Sequence, residues 1–172
     1  MDNCSGTSSC SRYRSENAEM TAAIGRRLGE AAGSGDIFVL QGDLGAGKTQ
    51  FIKGLAEGLG LDGRLVSSPT FTIMQRYSGG RLPLQHFDLY RLESVAELEG
   101  LGFAELVDDW PGVTAIEWGD RFREAMPPWA IWVNIEHVRR PGQEDAGSIR
   151  VISICRPVEG QAQEERDDDD DK

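Results

Sequence analysis

Apolar residues in the first part of the chain repeat with the period of a helix and then form one continuous block. Met20, Ile24 and Leu28 recur every four residues, which places an apolar stripe on a helix that the glycine-rich segment 33–35 ends. Residues 36–41 are a short, mostly apolar run, which is typical of a strand covered on both faces of a parallel sheet. The pattern therefore predicts a helix that leads into a buried strand.

The apolar positions of 49–59 repeat helically after a glycine-rich loop, so a strand, a loop and a second helix follow each other. Farther along, alternation at period two predicts strands over 71–77 and 82–90, on either side of a Ser-Gly-Gly turn. A second alternating pair, 131–138 and 148–155, flanks an Arg-Arg-Pro-Gly sequence. We expect both pairs to form antiparallel hairpins.

Crossover segments lie between the two predicted hairpins. Residues 95–106 have helical spacing that Gly100 and Gly102 interrupt, 113–116 read as a buried strand, and 120–125 form a short helix before two prolines. Parallel crossover units combined with hairpins predict an α/β sandwich with a mixed parallel and antiparallel sheet.

Length and composition allow one sizeable core. The chain has 172 residues, of which 39% are hydrophobic, and this leaves little material for a second core. We expect a mobile polar leader over 1–14, a single domain over 15–158 and a disordered acidic tail over 159–172. The aspartate block at 167–171, with the lysine after it, also resembles a protease-site or epitope-tag remnant.

The charge distribution disfavours direct nucleic-acid binding. The formal net charge is −11, of which residues 159–172 carry −6 and the remainder carries −5. That remainder shows no basic stripe suited to a phosphate backbone.

The cysteines and the hydropathy favour the cytoplasm. Cys4, Cys10 and Cys155 are odd in number and have no histidines at ligand spacing, so they predict neither a disulfide framework nor a zinc site. The sequence contains no run of about 18 apolar residues and no apolar signal segment. We therefore expect a cytoplasmic protein with no membrane association.

The sequence GDLGAGKT at 42–49 matches the pattern G-x-x-x-x-G-K-[ST], which cradles nucleotide phosphates. Glycines let backbone amides surround phosphate oxygens, and the start of the following helix directs its free amides at the same anion. Lys48 would add a positive charge, and the Thr49 hydroxyl would bind magnesium. A chance glycine-rich turn is the alternative, but the preceding strand and following helix favour the cradle.

Two carboxylates are candidates for the metal or for orienting a water molecule, because Asp88 and Glu117 each end an apolar strand. The alternative is that they are merely solvated acids. Thr70 lies in a loop where a hydroxyl could sense a terminal phosphate, or could cap a local turn. Trp118 could border the nucleotide or belong to the core, and His86 is interpreted as a strand-packing histidine rather than a base.

Four motifs in order resemble the bacterial TsaE (YjeE) family: GDLGAGKT at 42–49, SPTFT at 68–72, HFDLYRL at 86–92 and IEW at 116–118. The resemblance spans about residues 15–120 and implies a P-loop NTPase-like fold. It also implies a slow, magnesium-dependent ATPase that supports threonylcarbamoyladenosine modification of tRNA. Such a protein would bind ATP and ADP, dock on a TsaB–TsaD pair and contact tRNA only indirectly.

The resemblance also implies roles for individual residues. Thr49 and Glu117 would hold magnesium, Asp88 would serve hydrolysis or the metal shell, Thr70 would lie in a switch-like loop, and Trp118 would border the site. The segment 15–21 would approach the adenine side. The phosphate contacts would come from Leu44, Gly45, Ala46, Gly47, Lys48 and Thr49. Gln50 and Asp120 depart from residues common in the family.

Two other functions use the same loop. A small-molecule kinase would need an arginine-rich lid, for which Arg121 and Arg123 are the only close pair in a suitable place. A nucleotide-gated adaptor would use binding energy to bias docking, with hydrolysis incidental.

Overall fold

The structure, a computed structural model, describes residues 8–138 and 149–157, and within this part it contains seven strands and four α-helices. The strands are β1 Ser8–Ser15, β2 Ile37–Gln41, β3 Met74–Tyr77, β4 Leu84–Asp88, β5 Val113–Glu117, β6 Ile131–His137 and β7 Arg150–Pro157. The helices are α1 Ala18–Ala31, α2 Lys48–Gly58, α3 Val95–Gly100 and α4 Phe103–Asp108. Short 3-10 helices cover Gly63–Leu65 and Gly119–Ala125.

All seven strands form one sheet in the order β1-β7-β6-β2-β5-β4-β3. The central strands β6, β2, β5 and β4 are parallel, whereas β3 and β7 pair antiparallel with β4 and β6. The mixed sheet and both hairpins that the sequence predicts are therefore confirmed. Parallel alignment also brings the carboxyl ends of β2, β4 and β5 to the same edge of the sheet, where the candidate site residues lie.

Helices cover the two faces of the sheet. The core on one face joins α1 and α2 to β2 residues such as Phe38 and Leu40, and the other joins α3 and α4 to Val39 and Phe87. Because successive strand residues point to opposite faces, the buried runs of β2, β4 and β5 serve both cores. Burying one phenylalanine, leucine or valine side chain stabilises the fold by roughly 1.5–3 kcal/mol.

Helices α1 and α2 approach each other so closely that glycines line their contact. A Cβ atom built on Gly54 would lie 1.8 Å from the carbonyl oxygen of Ala22, and one built on Gly25 would lie 2.2 Å from that of Phe51. Side chains cannot be accommodated at these distances. The close contact fixes α2, and with it the loop that precedes α2.

The prediction of a mobile leader is wrong for residues 8–14, because Ser8–Ser15 forms β1 at the edge of the sheet. Its pairing with β7 uses backbone hydrogen bonds over the whole strand, so it does not need the apolar alternation by which strands are recognised. Residues 1–7, the predicted tail at 159–172 and the predicted turn at 139–142 lie outside the described residues.

The prediction that the cysteines form no disulfide is also wrong. Cys10 and Cys155 are register partners in β1 and β7, with their Cα atoms 4.1 Å apart, and they are joined in a disulfide. The two cysteines are 145 residues apart in sequence. No spacing rule connects cysteines at that distance, whereas strand pairing does.

Strand β3 begins at Met74 rather than at 71, because the preceding residues form a turn. The amide of Ile73 donates to the Pro69 carbonyl at 2.6 Å, and Ile73 has a φ of +66°. Strand β4 is likewise shorter than the predicted 82–90. The turn places residues 68–70 next to the end of β4.

Candidate functional site

The glycine-rich loop at 42–47 connects β2 to α2. Gly42, Gly45 and Gly47 have φ values of +146°, +79° and +108°, which L side chains rarely adopt. A Cβ atom on Gly42 would also lie 2.4 Å from the Ile135 carbonyl oxygen. Gly47 caps α2 without a side-chain hydrogen bond, so the free amides of the first helical turn are available to an anion.

Lys48 is the first residue of α2 and is buried, with its ammonium group held by neutral groups. Nζ donates to the carbonyl oxygens of Gly42 at 2.6 Å and Asp43 at 3.0 Å, and lies 3.8 Å from the ring centroid of Trp118. Burial lowers the pKa of Lys48 below its ordinary value. Four carboxylates act in the opposite direction: those of Glu117, Asp120, Asp88 and Asp43. A desolvated ammonium group of this kind gains from contact with an anionic ligand.

Thr49 and Glu117 are joined by a hydrogen bond between α2 and β5. The Thr49 Oγ1 donates to Glu117 Oε1 at 2.9 Å, and His86 Nε2 lies 2.8 Å from the same oxygen. Glu117 is 3% exposed and His86 is fully buried. His86 is thus buried, as a packing residue would be, but it also contacts a candidate metal ligand.

Asp88 connects the end of β4 to the loop that carries Thr70. Its Oδ2 accepts hydrogen bonds from the hydroxyl groups of Ser68 at 2.5 Å and Thr70 at 2.8 Å. Its Oδ1 accepts from the Tyr90 amide at 3.0 Å. The interpretation of Asp88 as a merely solvated acid does not fit, because the residue is 3% exposed and has three protein donors.

Trp118 follows β5 in the left-handed conformation, with a φ of +64°. This conformation costs a non-glycine residue on the order of 1–3 kcal/mol, and residues held in it cluster at functional sites. The turn places the indole over the Lys48 ammonium group and 5.0 Å from the Tyr90 ring. Trp118 therefore borders the loop rather than lying only in the core.

One cavity of about 380 Å³ brings these residues together. Its lining includes the predicted residues Leu44, Gly45, Gly47, Lys48, Thr49, Thr70, Asp88, Glu117 and Trp118. Ala46 is the predicted residue that does not line it, because its side chain is 1% exposed and packs into the core. Sequence reasoning did not assign Gln50, Ser68 or Tyr90, which also line the cavity. Ser68 and Tyr90 lie within motifs already noted, so motif membership was the available signal.

Two residues from the β6–β7 hairpin hold the outer side of the glycine-rich loop. Arg150 Nε donates to the Ala46 carbonyl at 2.7 Å, and His137 Nε2 lies 3.3 Å from the Gly45 carbonyl oxygen. Sequence reasoning missed both residues, which are far from the loop in sequence. From α1, Thr21 lies behind Gly47, where its Cγ2 would be 3.7 Å from an added Cβ.

Neither of the arginines considered for a kinase lid lines the cavity, and both are engaged by other groups. Arg121 donates to the carbonyl oxygens of Leu89 and Tyr90. Arg123 donates to Gln41 Oε1 at 3.3 Å and lies 4.0 Å from the Trp132 ring centroid. These contacts do not favour the kinase alternative.

The oxygen donors in the cavity suit a magnesium ion held together with phosphates. Among residues 8–138 and 149–157, no group of three or more His, Cys, Asp or Glu side chains could form a closed metal site. The Thr49 hydroxyl and the carboxylates of Asp88 and Glu117 are hard oxygen ligands. Magnesium is usually held by one or two carboxylates, with phosphates and water completing the shell.

The similarity of this chain to known proteins identifies its family. Residues 15–144 match the family described as "Threonylcarbamoyl adenosine biosynthesis protein TsaE". The chain belongs to the TsaE family. The four-motif resemblance seen in the sequence is thereby confirmed, and so is a place in tRNA threonylcarbamoyladenosine biosynthesis at the level of the family.

Individual TsaE proteins match this chain over most of their own length. The "tRNA threonylcarbamoyladenosine biosynthesis protein TsaE" of Bacillus subtilis is 43% identical over 134 residues, which cover 78% of this chain and 80% of the relative. The protein of the same name from Treponema pallidum is 42% identical over 124 residues, covering 72% and 90%. The solved structure "Crystal structure of Bacillus subtilus YdiB" matches with a TM-score of 0.71 and 32% identity, over 96% of this chain and 100% of that one. The predicted P-loop NTPase-like α/β fold is therefore confirmed.

None of the helices in the described part of the chain is both long enough and apolar enough to cross a bilayer.

Proposed function

We propose that this TsaE-family protein binds ATP with magnesium, hydrolyses it slowly and thereby supports the transferase that makes threonylcarbamoyladenosine in tRNA. The observation that carries the proposal is the convergence of Lys48, Thr49 and Glu117 on one cavity at the end of a glycine-rich loop. Family membership supplies the pathway. The nucleotide chemistry is the part that we infer.

Phosphate binding is supported by the contacts that Lys48 makes in the glycine-rich loop. Lys48 Nζ contacts two loop carbonyl oxygens and no carboxylate within salt-bridge distance among the described residues. A triphosphate would give this buried cation charged acceptors, and the start of α2 would give the same oxygens free amides. Leu44, Gly45 and Gly47 line the same cavity and would contact the phosphates through their backbone.

Magnesium would be held by Thr49 and Glu117, with Asp88 beside them. When bound, the cation would neutralise charge on the phosphate oxygens. The Thr49 hydroxyl already donates its hydrogen to Glu117, so its oxygen lone pairs are available to a cation.

Hydrolysis would depend on Asp88 and Thr70, whose side chains are hydrogen-bonded to each other at the mouth of the loop. Asp88 can accept a hydrogen bond from a water molecule and orient it toward the terminal phosphate. Thr70 belongs to a loop that can rearrange when a phosphate arrives, as switch loops do. Trp118 would border the nucleotide.

We further propose that the protein docks on a TsaB–TsaD pair in the cytoplasm and meets tRNA only through that complex. The net charge of −5 outside the tail, without a basic stripe, supports indirect rather than direct contact with tRNA. A nucleotide-gated adaptor would use the same docking, so the two roles must be separated by experiment.

The test combines calorimetry, phosphate release and a pull-down with purified TsaB and TsaD, each with and without ATP. We expect magnesium-dependent ATP binding, slow phosphate release and ATP-dependent capture of the pair. Glu117→Ala should lose hydrolysis, and retained ATP-dependent docking by this variant would favour the adaptor. Absence of ATP binding by the folded wild-type protein would refute the proposed function.

A further inference from the structure

His86 is a buried polar residue that contacts Glu117, a residue of the cavity lining. It lies in the middle of β4 and is 0% exposed, and its side chain is on the same face of the sheet as Asp88, two residues along. Its Nε2 lies 2.8 Å from Glu117 Oε1. Packing alone would be served by an apolar residue, so the contact calls for a specific explanation.

The hydrogen bonds of Glu117 are unequally distributed between its two oxygens. Oε1 accepts from Thr49 Oγ1 at 2.9 Å and is paired with His86 Nε2 at 2.8 Å. Oε2 has no hydrogen-bond partner among residues 8–138 and 149–157. Glu117 also lines the cavity. The protein therefore holds one oxygen and leaves the other for a ligand.

The tautomer of His86 follows from its two nitrogen atoms. A carboxylate only accepts hydrogen bonds, so Nε2 must carry the hydrogen that it donates to Glu117. Nδ1 is buried and has no partner within the described part of the chain. A bare Nδ1 leaves no donor unsatisfied, whereas a hydrogen there would be a buried N–H without an acceptor. The geometry therefore makes His86 a hydrogen-bond donor to Glu117 through Nε2.

We propose that His86 is a positioning residue that fixes the Glu117 carboxylate so that Oε2 faces a magnesium ion bound with the nucleotide. The same contact orients Thr49, because the Thr49 hydroxyl donates to the oxygen that His86 holds. This inference rests on the proposed function, since it assigns a residue to the metal site of that function. Second-layer hydrogen bonds of this kind commonly change metal affinity by 10- to 100-fold.

The test measures ADP affinity by calorimetry in magnesium and in EDTA, and counts bound Mn²⁺ by electron paramagnetic resonance with ADP present. In His86→Leu, the factor by which magnesium increases ADP affinity should fall at least about tenfold. The ADP affinity of this variant in EDTA should stay within about twofold of wild type. His86→Gln should restore most of the gain, because its amide nitrogen can occupy the position of Nε2.

Gln85→Leu is the matched control, because Gln85 is the neighbouring buried polar residue on the opposite face of β4. Its Nε2 donates to the Leu106 carbonyl and the Thr114 hydroxyl, away from the cavity. A purely structural effect would lower stability in both leucine variants and leave the magnesium dependence alone. We expect the magnesium-dependent gain to fall only in His86→Leu.

Three results would overturn the proposal. One is an unchanged magnesium-dependent gain in folded His86→Leu. If His86→Leu does not fold, His86→Asn replaces it, because its shorter amide reaches the position of Nδ1 rather than Nε2. The second overturning result would then be an equal magnesium-dependent gain in ADP affinity in His86→Asn and His86→Gln. The third is a folded wild-type protein that does not bind ADP either in magnesium or in EDTA. That result refutes the nucleotide site itself, and so differs from a wild type that binds ADP while its His86 variants respond normally to magnesium.

Discussion

Asp88 and Glu117 are register partners at the ends of the parallel strands β4 and β5, yet their carboxylates contact different parts of the protein. Asp88 accepts from the hydroxyl groups of Ser68 and Thr70 in the loop before β3. Glu117 accepts from Thr49 in α2. Two adjacent acids therefore connect two different elements to one cavity, so their substitutions should have separable effects.

Asp88→Asn should retain the fold and most of the nucleotide affinity but reduce phosphate release roughly 100-fold or more. The amide keeps an oxygen to accept from Ser68 and Thr70 but loses the charge that would orient a water molecule. Phosphate release under saturating ATP measures the effect, and the distant Asp108→Asn at the end of α4 is the control. Undiminished phosphate release would leave Asp88 with only the structural role of holding the loop.

Lys48→Ala should weaken ADP and ATP binding by about 2–3 kcal/mol, or on the order of 100-fold. The variant removes the buried ammonium group that now contacts the carbonyl oxygens of Gly42 and Asp43. Lys53→Ala is the control, because Lys53 also belongs to α2 but does not line the cavity. Equal affinities of the two variants in calorimetry would contradict the phosphate role of Lys48.

We expect nucleotide binding to change the tryptophan fluorescence of the protein, and Trp118→Phe to remove that change. The indole lies 3.8 Å from Lys48 Nζ, so a phosphate that draws the ammonium group away alters its surroundings. The chain has four tryptophans. Trp132→Phe is the control, because Trp132 stacks against Arg123 outside the cavity lining and its loss should leave the signal intact. A signal that persists in Trp118→Phe would place the nucleotide elsewhere.

Sequence reasoning selected residues that line one cavity because their signals depend on local order. A buried strand, glycines and a helix starting with Lys48 are contiguous, and strand-end acids such as Asp88 and Glu117 are marked by the apolar runs before them. Parallel pairing then brings the strand ends to one edge of the sheet. The contact of His86 with Glu117 could not be derived in this way, since it depends on the register between β4 and β5.

The same reasoning failed for β1 because its sequence is polar. Backbone pairing with β7 holds Ser8–Ser15 in place, and Tyr13 remains 40% exposed. An edge strand of this type lacks the alternation that marks a buried face. The contact of Arg150 with Ala46 was missed for a related reason, since it depends on how β7 closes the sheet rather than on any local pattern.

Reducing the disulfide between Cys10 and Cys155 should lower the free energy of unfolding by about 2–4 kcal/mol, because the bond closes a very long loop in the unfolded chain. Denaturant unfolding with and without a reductant measures this difference. In Cys155→Ser the reductant should have no effect. A wild-type protein equally stable in both conditions would mean that the pair is not oxidised in solution.

Gly54→Ala should destabilise the fold by about 3 kcal/mol, because the added methyl group would lie 1.8 Å from the Ala22 carbonyl oxygen and force α1 away from α2. For a chain of this length, that loss corresponds to roughly 6–12 °C in Tm. Gly100→Ala is the matched control, since a Cβ atom there meets no atom within 4 Å and α3 gains helix propensity. Since α2 begins at Lys48, the displacement should also weaken ADP binding. Loss of stability with unchanged ADP affinity would show that the loop holds its shape independently of the contact between the two helices.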